Sequence, residues 1–169
     1  MRAILILFFV LLLAGNARGE LPDSLAGDWR GSLLVTGADA GTGLPVNARL
    51  DPTRDGFEIA INAPGAKRLD ARMVPGPAPD VFEVEEGGGL FGFLGDGDDR
   101  SVLDGRPLLW ARRAAESLVV YRLQIVADGG FELLHIVLTP AADRLEVSVQ
   151  RRLDGVPEPG LHGFLDRRS

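Results

Sequence analysis

The sequence predicts an all-β fold, an antiparallel up-and-down β-barrel of eight to ten strands without a flanking C-terminal helix. Three observations predict it. Apolar residues recur at every second position in short runs, clusters of Gly, Pro and Asp end each run, and the runs follow one another too closely for helices to intervene. The chain has 169 residues, 46% hydrophobic and 25% charged, the size and polarity of one globular domain.

Taken in order, Trp29, Gly31, Leu33 and Val35 alternate with Arg30, Ser32, Leu34 and Thr36 until a Gly-rich break at 37–43. Val46, Ala48 and Leu50 alternate with Asn47, Arg49 and Asp51; Phe57, Ile59 and Ile61 with Glu58, Ala60 and Asn62; Leu69, Ala71 and Met73 with Arg68, Asp70 and Arg72. The second half gives runs at 107–112, 118–126, 131–138 and 144–152, with Asp128-Gly129 between two of them as a hairpin signal. The stretch around 110–121 also fits one face of a helix, and two strands joined at Arg113–Glu116 are favoured because Val119, Val120 and Tyr121 prefer strands. A meander of this kind hides its edges by closing into a barrel, or less economically by forming a sandwich.

Residues 1–19 are expected to lie outside the fold. Arg2 precedes an apolar run from Ala3 to Ala14, too short to span a bilayer, which needs ~20 residues. Ala17 and Gly19 suit a signal-peptide cut before Glu20. Removing 19 residues, including Arg2 and Arg18, leaves 150 residues with a net charge of −8 instead of −6 and no transmembrane span in the mature protein. The organisation expected is a signal peptide at 1–19, a barrel at 20–154 and a Pro/Gly-rich C-terminal tail at 155–169. Seventeen Arg against one Lys, with 22 Gly and 11 Pro, read as the codon bias of a GC-rich bacterial genome, so the expected location is periplasmic or secreted.

Leu25-Ala26-Gly27-Asp28-Trp29-Arg30-Gly31 resembles the Gly-x-Trp opening of lipocalin-like barrels of the calycin superfamily. The resemblance implies that Gly27 and Trp29 close one barrel end and that an Arg near the end of the last strand packs over the indole. Arg151, in phase with Leu145, Val147 and Val149, is the residue expected in that position. The chain lacks the disulfide of the classical lipocalins and the helical pair of the fatty-acid-binding barrels, so the resemblance implies a fold and no particular ligand.

Composition excludes several chemistries. Zero Cys rules out thiol catalysis and Cys-built metal sites, and a net charge of −6 argues against nucleic-acid binding. Gly87-Gly88-Gly89-Leu90-Phe91-Gly92 fits a dinucleotide pattern by spacing, yet no helix can start after it to hold a pyrophosphate. Asp96, Asp98, Asp99 and Asp104 offer oxygens for Ca²⁺, but Arg100 interrupts the ligand spacing. His135, mid-strand, reads as a core histidine rather than a haem ligand, and no Gly-x-Ser-x-Gly elbow exists. No catalytic residue, metal site or cofactor is expected.

The expected function is a non-catalytic exported barrel that binds a small hydrophobic molecule. Phe57, Ile59, Trp110 and Tyr121 are the expected cavity residues, with Phe91 and Phe93 in the Gly-rich stretch 87–99 as a lid. The alternative for that stretch is a distorted strand packed into the core. The alternative function is a protein-binding module, an enzyme inhibitor or envelope assembly factor with an envelope partner, on a filled barrel. An envelope enzyme would need polar groups inside the cavity, for which Arg151, His135 and Tyr121 are the candidates.

Overall fold

The computed structural model describes residues 20–37, 43–63, 68–85 and 107–168. These residues form β1 (Gly27–Val35), β2 (Leu44–Thr53), β3 (Gly56–Asn62), β4 (Leu69–Pro75), β5 (Val81–Val84), β6 (Leu108–Ala114), β7 (Ser117–Ile125), β8 (Phe131–Ala141), β9 (Arg144–Leu153), β10 (Val156–Pro157) and β11 (Leu161–Arg167). Each strand from β1 to β9 pairs antiparallel with the next, and β11 lies between β9 and β1. The result is a closed up-and-down barrel of ten strands, with the two-residue β10 attached to β9 alone. No helix occurs among the described residues, and none is long and apolar enough to cross a membrane.

Alternation does the folding. Along β4, Leu69, Ala71 and Met73 are buried while Asp70, Arg72 and Val74 are not, and β2 and β9 repeat the pattern with Val46, Ala48 and Leu50 and with Leu145 and Val147. A one-residue slip would turn every one of these side chains into water, so the apolar face fixes the register. The helical alternative over 110–121 is overturned: β6 and β7 meet in a tight turn at Ala115 and Glu116. Val119, Val120 and Tyr121 are stiff or ring-bearing side chains that pack well on a pleated surface, and tertiary pairing on both sides outweighs helix propensity.

Two elements differ from expectation. β5 has only four residues, too few for alternation to register. The segment expected as a tail after 155 supplies β11, which hydrogen-bonds to β9 and β1 and closes the ring. Its glycine is a packing requirement: a Cβ on Gly163 would lie 2.3 Å from the Ser32 carbonyl oxygen, and one on Gly31 2.3 Å from that of Phe164. The closing seam is therefore a place where two backbones approach too closely for a side chain, and glycine permits it.

The ends of the barrel are unlike each other. One end holds the start of β1, the 54–55, 115–116 and 142–143 turns, and a plug formed by Leu21 and Leu25, 5% and 0% exposed. The opposite end holds the far ends of β7 and β9, the start of β8 and the residues around β10.

Candidate functional site

The plugged end is sealed by a cation over a ring. Trp29 is 2% exposed and its indole N–H donates to the Leu25 carbonyl at 3.0 Å, tying the strand to the plug. The guanidinium over the ring is that of Arg167, 4.4 Å from the centroid, and it also donates to the carbonyls of Ala26 at 2.7 Å and Ser24 at 3.3 Å. Arg151 does not occupy this position, which corrects the sequence expectation. Antiparallel pairing sets Trp29 beside Arg167 on the adjacent strand β11, whereas Arg151 sits at the far end of β9, opposite Leu134. Gly27, at φ +127, pairs with Leu50, and the Arg167 side chain occupies the space where a Cβ would project.

The interior next to this seal is solid. Trp29, Phe57, Phe82, Leu50, Ile59, Met73, Leu118, Leu138, Leu145 and Leu165 are all essentially buried. Phe57 meets Phe82 edge to face at 4.9 Å. Phe57 and Ile59 thus face inward as expected, but as packing for the barrel floor. Toward the other end the inward positions loosen, and Ile61, Val84, Leu134, Val149 and Leu161 are only partly buried against the core. This half is the mouth.

An ionic network stands on the inward face at the mouth. Arg122 and Gln124 continue the inward phase of Leu118 and Val120 along β7, and Glu132 and Arg151 take the equivalent positions on β8 and β9. Nη2 of Arg122 donates to Gln124 at 2.6 Å and to Glu132 at 3.3 Å. The second oxygen of Glu132 accepts from Nε of Arg151 at 2.8 Å and lies 2.7 Å from its Nη2 in an ion pair, and Nη1 of Arg151 donates to Glu158 at 2.6 Å. The Glu132 hydrogen bond holds the Arg151 guanidinium above its ordinary pKa. Arg122 and Glu132 are 15% and 16% exposed, far more sheltered than Arg151 at 45%. Nε and Nη1 of Arg122 make no hydrogen bond to any described residue. The N–H groups on Nε and Nη1 of this sheltered guanidinium thus have no partner among the described residues.

Trp110 and Tyr121 are not cavity residues, a second correction. Their neighbours Leu109, Ala111 and Val120 take the inward positions, leaving both rings on the outside of the barrel. There Trp110 stacks on Tyr121 at 5.0 Å and Tyr121 on His135 at 5.0 Å, a ladder across β6, β7 and β8. His135 is therefore neither a core residue nor placed toward the interior. His162 lies outside too, on β11, with its Nε2 2.8 Å from Glu146. Phe91, Phe93, the rest of 87–99 and Asp104 lie outside the described residues.

At the sealed end an open, polar cleft of about 420 Å³ is lined by Pro22, Asp80, Arg113, Ala115 and Glu116. Arg113 there is bound by Asp80 and by the Glu20 carbonyl, so the cleft ties the N-terminal segment to the barrel. Among the described residues no three of His, Asp and Glu gather as a metal-binding set. The mouth network is the arrangement best suited to recognise a molecule.

No family model matches the chain, no curated protein matches it, and no solved structure matches it.

Proposed function

We propose that this barrel binds one small, mostly apolar molecule in its mouth half, with the ligand's carboxylate or carbonyl group held by Arg122. The observation that carries this reading is the inward guanidinium of Arg122, sheltered, with Nε and Nη1 unpartnered among the described residues and beside the apolar walls of Leu109, Leu134 and Val149. Charged groups on the inward face of a barrel are costly to desolvate, and a barrel that needed only a core would carry apolar residues at 122 and 132. The ionic network returns part of that cost and holds the donors in place. The packed floor around Phe57 limits the ligand to the mouth half.

The Gly27/Trp29 opening, with Arg167 over the indole, supports a relationship to lipocalin-like barrels. The apolar segment before Glu20 supports export to the periplasm or the outside of a bacterial cell, the setting in which such a carrier acts. The proposed role is binding, which the network serves by holding the Arg122 guanidinium in place through Gln124 and Glu132.

Titration with anilinonaphthalene sulfonate, an apolar probe with an anionic group, tests the reading. Arg122→Met is expected to weaken the probe by roughly 10- to 100-fold, the value of a sheltered charge-assisted hydrogen bond. Unchanged affinity in a folded Arg122→Met protein would overturn the proposal.

A further inference from the structure

We infer that the mouth takes an uncharged carbonyl, carried by an apolar ester, amide or ketone, in preference to the matching carboxylate. This rests on the reading of Arg122 as the group that holds the ligand, and it follows from which of its N–H groups are engaged. A guanidinium offers a carboxylate two parallel forks, one built from Nε and Nη2 and the other from Nη1 and Nη2. Both forks need Nη2. Nη2 of Arg122 donates to Gln124 at 2.6 Å and to Glu132 at 3.3 Å, which uses both of its N–H groups. Nε and Nη1 are unpartnered among the described residues and lie on separate edges of the plane, so each can serve one oxygen and neither completes a fork. A single carbonyl oxygen is the acceptor that fits them.

Charge points the same way. Arg122 and Arg151 bring two positive charges to the network, and Glu132 and Glu158 bring two negative ones. Among the described residues no other cation takes an inward position in this half of the barrel. Asp128 and Asp154, on the turns beside the network, bind the N–H groups of Gly130 and Phe131 and add negative charge at the rim. A carboxylate entering here would carry an uncompensated charge close to Glu132, where little water is present to screen it. An uncharged carbonyl meets the same donors without that cost.

The surroundings of Arg122 set the size of the rest of the molecule. Leu109 and Leu134 stand directly across from it on β6 and β8. Val120, two positions deeper on β7 and about 7 Å along the strand, is already only 1% exposed. The apolar body therefore lies across the mouth, against Ile61, Val84, Val149 and Leu161, rather than down the barrel axis. A chain of a few carbons beyond the carbonyl satisfies this space, and a long one would project into water.

Nonan-2-one and octanoate are matched probes, since a methyl group in the ketone stands where the acid carries its charged oxygen. Isothermal titration calorimetry of the wild-type protein with each, at about pH 7 where octanoate is ionised, tests the inference. The ketone is expected to bind at least about tenfold more tightly, and Arg122→Met to weaken it. Glu132→Gln removes one negative charge and is expected to narrow the ratio by about tenfold in favour of octanoate. Glu158→Gln, at a more exposed carboxylate where folding is not at risk, is expected to narrow it in the same direction. Octanoate binding as tightly as the ketone, with both weakened in Arg122→Met, overturns the inference and leaves Arg122 as the group that holds the ligand. A ketone preference that both folded glutamine variants leave unchanged also overturns it, because partitioning into an apolar site then accounts for the ratio. If neither probe binds, or Arg122→Met leaves both unchanged, the reading of the mouth fails and the inference fails with it.

Discussion

Removing Arg167 tests how the barrel is sealed. Its guanidinium lies 4.4 Å from the Trp29 centroid and donates to two carbonyls of the N-terminal plug. A cation over an indole at a partly exposed site contributes about 0.5–1 kcal/mol. The two hydrogen bonds add about 0.5–1 kcal/mol each after discounting for solvent. Arg167→Ala is therefore expected to cost about 2 kcal/mol, which lowers the melting temperature by roughly 4–8 °C in a domain of this size. Arg151 is the control, since its partners are the carboxylates of Glu132 and Glu158 and its side chain is 45% exposed. Arg151→Ala is expected to cost less than about 1 kcal/mol. Urea unfolding followed by circular dichroism measures both, and Trp emission should shift red in Arg167→Ala as water reaches the indole. If Arg151→Ala proves the more destabilising of the two, the assignment of the seal to β11 is wrong.

Other expectations follow from the seam and the turns. Gly163→Ala forces a Cβ to within 2.3 Å of the Ser32 carbonyl oxygen and should cost more than about 2 kcal/mol by chemical denaturation. Ending the chain at Leu153 removes β11 and leaves the β9 and β1 edges unpaired, so the product should be insoluble or lack the sharp thermal transition of the full barrel. Ala142 sits in the β8–β9 turn at φ +56, where a Cβ is strained, and Ala142→Gly should stabilise by about 0.5 kcal/mol in the same urea assay. Glu132→Gln removes the acceptor shared by Arg122 and Arg151 and should cost about 1–3 kcal/mol, with Arg151→Ala partly relieving the loss in a double-mutant cycle.

Much of the barrel was legible because apolar and polar residues alternate cleanly on β2, β3, β4 and β9, where one face is water and the other is core. β11 was hidden by Pro157, Pro159, Gly160 and Gly163, which read as breakers. Gly163 is there because β1 passes too close for a side chain, a long-range fact that no local pattern reports. The mistaken choice of Arg151 over Arg167 follows directly, since the last strand of the sequence reading was not the last strand of the barrel.

The parity of β7 misled for a different reason. Leu118-Val119-Val120-Tyr121 is apolar on both faces, so its own pattern does not say which face is inward, and Tyr121 was expected inward. The reverse holds because the inward face turns polar at the mouth and the outward face turns apolar on β6–β8.

Native mass spectrometry of the chain recovered from the cells that make it tests the proposed ligand binding at the mouth most directly. The result expected is a discrete additional mass that disappears on denaturation and is missing from Arg122→Met purified in the same way. A bare protein mass in the wild type, or an adduct that Arg122→Met retains in full, would contradict a ligand held by Arg122.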